Sequence, residues 1–342
     1  MMKLIHVLAG AMALVSLPAL GNDTMAQLGT GGLIFVTNPD IAMMSEELSI
    51  SPEQVEVVYK FHNNAETDQH ILVAFPMPDI TGDGDFMVSI PTEDMDNIFG
   101  FKTTFNGEPV EATLHQYAFA NNIDYSKQLR ALGIPFAPFG QDTLDALNDL
   151  PEADKAKLQS EGLVIPMEYD AGEGPQVDTT PVWTLRSSYS WEATFPAGED
   201  VEVVHTYQPS VGGTVATTFM PNADDDAYAK DRFAEYQAKY CVDDDLVSAL
   251  KNRATTRDGF TNYPYTESWI SYVWSTGANW AGSVGKFTLT VDKGDAGNLV
   301  SFCGEGIKRI GPTTFQMTAT DWYPPYGREL DILLLVKSEA MQ

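Results

Sequence analysis

Residues Gln54 to Ile80 read QVEVVYKFHNNAETDQHILVAFPMPDI. In the first half Val55, Val57, Tyr59 and Phe61 fall on one side of an extended chain. Gln54, Glu56, Lys60 and His62 fall on the other, the period of two that marks a half-buried strand. Only Val58 interrupts the polar side. The run Asn63 to Asp68 carries turn chemistry in its Asn and Asp side chains, and Ile71, Val73 and Phe75 then restart the alternation. Phe75-Pro76-Met77-Pro78 ends it, because neither proline can donate a ladder hydrogen bond. The stretch reads as a β-hairpin with a rigid exit, the first packed layer of a sandwich-type fold.

Outward from this stretch the same pattern recurs. Extended segments are expected at 33–37, 41–50, 101–105 and 110–119, the last two joined by Asn106-Gly107, whose residues both tolerate positive φ. Further strands are expected at 182–189, 191–195 and 201–207, where DVEVVHTY echoes QVEVVYKF, and at 269–274, 286–292, 299–303, 313–320 and 330–336. Residues 170–181 read as a loop. The period lengthens near residue 122, so 120–163 reads as a helical insertion of three short helices, with Gly133 and Gly162 as stops. A second helical segment spans 223–253. The expected fold is mainly β, with antiparallel sandwich-type sheets, a helical insertion and a second helical segment. Residues 22–220 form a sandwich-like region, and 221–342 form a helical segment followed by a C-terminal β-region packed with it as one unit.

The chain of 342 residues opens Met1-Met2-Lys3, runs through apolar Leu4 to Leu17 and reaches Ala19-Leu20-Gly21. That is the pattern of a secretory signal peptide cleaved before Asn22, leaving 342 minus 21, or 321 residues. The apolar run is shorter than the roughly 18 residues needed to span a bilayer. The expected location is periplasmic or extracellular, with no transmembrane segment in the mature chain. Of the 20 basic and 48 acidic residues only Lys3 is lost, which leaves 19 minus 48, a net charge of minus 29. Nucleic acid and anionic membrane surfaces repel such a chain. The two cysteines, Cys241 and Cys303, favour one disulfide in an oxidising compartment, closing a loop of about sixty residues and worth roughly 3 to 4 kcal/mol. A metal or catalytic thiol is the other reading, but no histidine follows His205.

NDTMAQLGTGGLIF, MMSEELSIS, VEVVYKF, LVAFPMPDI, FPAGEDVEVVHTYQP, GANWAGSVGKFTLTVD and LVSFCGEG, in that order, resemble the bacterial exported proteins grouped as domain of unknown function 4424. The resemblance covers the mature chain and implies secretion, with no catalytic residues to carry over. Residues 54–111 also resemble the β-sandwich module at the start of inter-α-trypsin-inhibitor heavy chains, which implies a non-catalytic module. The metal-binding domain that follows that module elsewhere has no counterpart here.

Motifs for chemistry are sparse. The closest approach to a nucleophile elbow, Ala281-Gly282-Ser283-Val284-Gly285, has alanine where the first glycine must stand. Gly29, Gly31 and Gly32 follow no strand and precede no Lys-Ser/Thr, so they read as a turn and not as a phosphate loop. Asp79, Asp83 and Asp85 share a glycine-containing loop with hard oxygen ligands that suit Ca²⁺, although a solvated turn explains them equally well. Asp224 to Asp226 and Asp243 to Asp245 read as helix starts. His62 and His70 flank one turn and could form a transition-metal pair. Trp269, Tyr272, Trp274 and Trp280 form the densest aromatic region, a candidate surface for stacking on sugars. The expectation is an exported, non-enzymatic protein that binds a protein or glycan partner in the cell envelope or supports an assembly; the alternatives are a glycan-binding or glycan-active protein using that aromatic surface, and a Ca²⁺-stabilised binding module. No cofactor is expected, with Ca²⁺ the alternative.

Overall fold

The computed structural model describes residues 22–29, 32–82, 91, 92, 94, 97–170, 172, 174–220, 227–257 and 260–338. The chain is mainly β, and residues 1–21, the expected signal peptide, lie outside the described part. Its first strands are β1 (Thr24–Gly29), β2 (Gly32–Val36), β3 (Ile41–Ile50), β4 (Val55–Asn63) and β5 (Gln69–Pro76). β1 and β2 pair as neighbouring antiparallel strands with Gly29 opposite Gly32, so a strand does precede these glycines, contrary to the sequence reading, while Gly31 lies outside the described residues.

The stretch 54–80 is not a hairpin. β4 pairs with β3 and with the strand Asp200–Tyr207, whereas β5 pairs with β1 and with the strand Thr184–Phe195 in a different sheet. Asn63 to Asp68 is therefore the corner of an arch that carries the chain from one sheet to the facing one. Buried Asn63 builds the corner. Its Nδ2 donates to Thr67 O at 3.1 Å and to Phe195 O at 2.9 Å, and its Oδ1 accepts from Ala65 N at 2.9 Å. The true hairpin precedes the arch: Ile50 sits opposite Val55, and Ser51 Oγ accepts from the backbone N–H groups of Glu53 and Gln54. The echo strand Asp200–Tyr207 lies beside β4, with Val201 opposite Phe61 and His205 opposite Val57.

One sheet of seven strands and one of eight face each other in a sandwich. The inward rows of β4 (Val57, Tyr59, Phe61) and β5 (Ile71, Val73, Phe75) belong to one apolar cluster. Burying a Phe such as Phe61 contributes about 2 to 3 kcal/mol. A bulge between Met43 and Ser45 rephases β3, so that Met43, Glu46, Leu48 and Ile50 are all buried while Met44 is exposed. Most pairs are antiparallel, but β3 runs parallel to the strand Val284–Asp292 with Leu48 opposite Leu289.

A third, four-stranded sheet contains Gly212–Gly213, Tyr265–Tyr272, Leu330–Lys337 and Leu299–Phe302. Leu330, Ile332 and Leu334 join the sandwich core, and Leu333 and Leu335 pack on the other face. Burial on both faces explains the unbroken apolar run Ile332 to Val336. The second face is covered by two of the five helices among the described residues, α1 (Ser126–Ala131), α2 (Gln141–Asn148), α3 (Glu152–Ser160), α4 (Ala227–Tyr240) and α5 (Asp244–Lys251). α4 and α5 supply Tyr236, Tyr240, Leu246 and Leu250 to it. Asp243 caps α5 by accepting from Leu246 N at 2.8 Å. Cys241, between the two helices, is bonded to Cys303 as expected.

α1, α2 and α3 form the helical insertion and bury Leu129, Leu147 and Leu158 against Trp183. Gly133 and Gly162 take φ of +72° and +76° just past α1 and α3. The expected loop at 170–181 is instead largely paired, because Val164–Asp170 and Pro175–Pro181 form an exposed two-stranded ribbon.

Candidate functional site

A cleft opens where the three sheets meet. The Pro78–Thr81 exit from the arch forms one wall, and Trp269 and Ser271 of the third sheet form the other. Phe99, Tyr207, Pro209, Ser210 and Gly212 close it, around a volume of about 160 Å³. Prolines 78 and 209 hold fixed φ, so the rim is stiff. Asp79 sits at the rim, but Arg186 donates to both of its carboxylate oxygens, with Nη2 3.1 Å from Oδ2. Arg186 also lies over the Phe119 ring at 4.2 Å. The floor is Tyr207, whose buried hydroxyl has no hydrogen-bond partner and is pushed up in pKa by burial. Ser271 Oγ donates to Asp331 Oδ1 at 2.6 Å.

Beneath the floor lies a second polar group, which is sealed. Asn22, Asp23, Glu46, Tyr59 and His205 have 0 % exposure and Tyr272 has 1 %. Asn22 Nδ2 donates to Glu46 Oε2 at 3.0 Å, and Tyr59 OH donates to Asn22 Oδ1. Tyr59 and Tyr272 share a hydrogen bond of 3.0 Å, and Tyr272 OH is 3.5 Å from Glu46 Oε1. His205 Nε2 lies 2.9 Å from Asp23 Oδ1, and Trp280 Nε1 donates to Asp23 O at 2.6 Å. Desolvation drives the Glu46 carboxyl up to about 8, Asn22's hydrogen bond opposing it. Burial also raises Asp23, which His205 partly offsets, and places Tyr59 and Tyr272 well above a free phenol. A carboxyl paired with an imidazole beside a second acid is the raw material of acid–base catalysis. With no exposed surface, these groups meet no substrate.

The residues singled out from sequence are dispersed. Trp269 is partly exposed and lines the cleft, whereas Tyr272 belongs to the sealed group. Trp274 and Trp280, each 2 % exposed, are also inside. Trp280 packs on Phe61 with centroids 4.8 Å apart, and Trp274 Nε1 donates to Arg328 O at 2.8 Å. The expected shared aromatic surface does not form, because the strand ends at Tyr272 and the 3₁₀ turn Ser275–Asn279 carries the flanking tryptophans into the core. Among the described residues the most exposed aromatics are instead Tyr323 and Tyr326. Asp79 is paired with Arg186, and Asp83 and Asp85 lie outside the described residues. Among the described residues no group of three His, Cys, Asp or Glu is arranged to hold a metal ion. His62 and His70 lie on different sheets, beside Asp200 and Thr194, so they form no pair. Sequence reading passed over Glu46 and His205. Their signal is a titratable residue in the inward register of an alternating strand: His205 between Val203 and Tyr207, Glu46 two before Leu48.

A family model described as Domain of unknown function (DUF4424) matches residues 21–333. No curated protein matches the chain. Among solved structures, one similar chain is a Legionella pneumophila protein provisionally named a nutrient binding protein, at 16 % identity and a TM-score of 0.42. The match covers 92 % of this chain and 71 % of that one. Likeness at that level carries no argument about role. Among the described residues no helix is long and apolar enough to cross a membrane.

Proposed function

The chain belongs to the DUF4424 family, and from that premise we propose that it is an exported, non-catalytic binding protein whose partner places one ring-sized group in the cleft between Asp79 and Trp269. The observation that carries this reading is the contrast between the two polar sites. The acid–base group of Asp23, Glu46 and His205 is sealed, and the open site offers rings, prolines and hydroxyls with its carboxylate already paired with Arg186. A space of about 160 Å³ is close to the ~150 Å³ cavity that accepts benzene and below the ~300 Å³ at which sites for larger ligands begin. One tryptophan beside Phe99 and two prolines suits a single aromatic or proline side chain of a protein partner better than the successive rings of a glycan.

The test is thermal melting of the protein with short peptides carrying Phe, Tyr, Trp or Pro, and with monosaccharides, on wild type and on Ser210→Phe, which fills the cleft. The reading requires a peptide that raises the wild-type midpoint and leaves the variant unmoved. Equal shifts in both proteins, a response to sugars alone, or hydrolase activity lost on changing one Asp or Glu would overturn it.

A further inference from the structure

Asn22, Asp23 and Thr24 have no exposed surface. Asn22 is held on several sides: Tyr59 donates to its Oδ1, its Nδ2 reaches Glu46 and Trp274 O, and Thr276 Oγ1 donates to its carbonyl. The 3₁₀ turn closes over it at Gly277, where a Cβ would lie 2.8 Å from Asn22 Nδ2. Glu46 and Asp23 are both fully buried. Among the described residues Glu46 is hydrogen-bonded only to the neutral Asn22 and Tyr272, and Asp23 Oδ2 has no partner. Among the described residues the one basic side chain within hydrogen-bond distance of either carboxyl is His205, whose Nε2 lies 2.9 Å from Asp23 Oδ1.

We propose that residues 1–21 are removed at the Gly21–Asn22 bond and that the α-ammonium so formed is retained inside the protein as the counter-ion of Glu46, with Asp23 Oδ2 as its second acceptor. The inference rests on the exported character proposed above and adds to it. Water adds across the peptide bond under a leader peptidase of the export machinery. The new carboxylate leaves with residues 1–21, and the amine at Asn22 takes up a proton.

A sealed carboxylate without a cation is strongly disfavoured, and a cation supplied at hydrogen-bond range removes the conflict. The α-nitrogen lies within about 5 Å of its own side-chain amide by covalent geometry, and that amide already touches Glu46. The family match begins at residue 21, where the small-x-small cleavage pattern ends. Processing then completes the core, because only a chain cut before Asn22 carries an α-ammonium beside the Asn22 side chain that touches Glu46.

The full chain is expressed with its own leader and purified from the exported fraction. The expected intact mass is that of a chain starting at Asn22. In that chain an α-amine reagent reacts at least about a hundredfold more slowly in native than in denatured protein, as for a group exposed only by core opening. Acetylating the amine, or adding one glycine before Asn22, lowers the wild-type melting midpoint and changes Glu46→Gln much less. A chain that stays unprocessed overturns the export reading together with this inference. Cleavage at another bond, labelling at the denatured rate, or an acetylated protein that melts unchanged overturns the inference alone. Labelling of wild type decides the matter even where Glu46→Gln does not fold.

Discussion

Replacing both Cys241 and Cys303 by serine opens a covalent loop whose ends are 62 residues apart in sequence. In the chain-entropy model a loop of that length removes about 14 cal/mol/K from the unfolded state, or about 4 kcal/mol at 25 °C. For a folded chain of about 320 residues, at about 2.1 cal/mol/K per residue, this lowers the melting midpoint by about 6 °C. The bond joins the end of α4 to the strand Leu299–Phe302, so the loss is local as well as global. Hydrogen exchange is expected to quicken first in α4 and α5 and in the third sheet, while β3, β4 and β5 keep their protection until global unfolding. Cys241 also holds φ of +55°, which serine adopts no more readily. Glycine relieves it, so Cys241→Gly with Cys303→Ser should recover up to about 1 kcal/mol of the loss in calorimetry. A double serine variant that melts within 1 °C of wild type, or loses protection first in the sandwich, would refute the reasoning.

Three further outcomes follow from the sealed site and the rim. His205→Leu leaves Asp23 buried without its partner and puts a branched aliphatic chain where a flat ring packs among Tyr59, Phe75, Phe101 and Trp191, so chemical denaturation should show a loss of about 3 to 5 kcal/mol. When the Asn22 amine is acylated, Glu46 keeps its raised pKa of about 8 against an unfolded value near 4.5. A raised carboxyl favours the folded state while protonated, so the stability it contributes is full below about pH 4.5 and lost as pH rises through about 8. Melting of the acetylated protein across that window should show the fall, and acetylated Glu46→Gln should not. Since Asp79 is neutralised by Arg186, Ca²⁺ or a chelator should leave the melting midpoint where it is, and a rise with Ca²⁺ that a chelator reverses would restore the loop as a metal site.

The sandwich was legible because alternation reports burial directly: the inward row Val55, Val57, Tyr59, Phe61 is buried as read. What alternation does not report is the neighbour. β4 and β5 each show one apolar face whether they pair edge to edge or stand in facing sheets, and the arch depends on three hydrogen bonds of the Asn63 side chain. Pro175–Pro181 was missed because its strand is largely exposed and carries little apolar pattern. Trp274 and Trp280 misled because an aromatic-rich stretch looks the same on a surface as beside a turn that folds it inward. The cleft draws on segments near residues 80, 99, 209 and 270, and no local pattern joins them. Glu46 and His205 were readable as polar exceptions in apolar registers, and the exception is the signal to seek in similar strands.

The most direct measurement of binding at the cleft is hydrogen exchange of the protein with and without the peptide that raises its melting midpoint most. Slowed exchange confined to Ile80 and Thr81, to 208–212 and to 269–271 is the predicted result. Protection on another surface, with these segments unchanged, would contradict it.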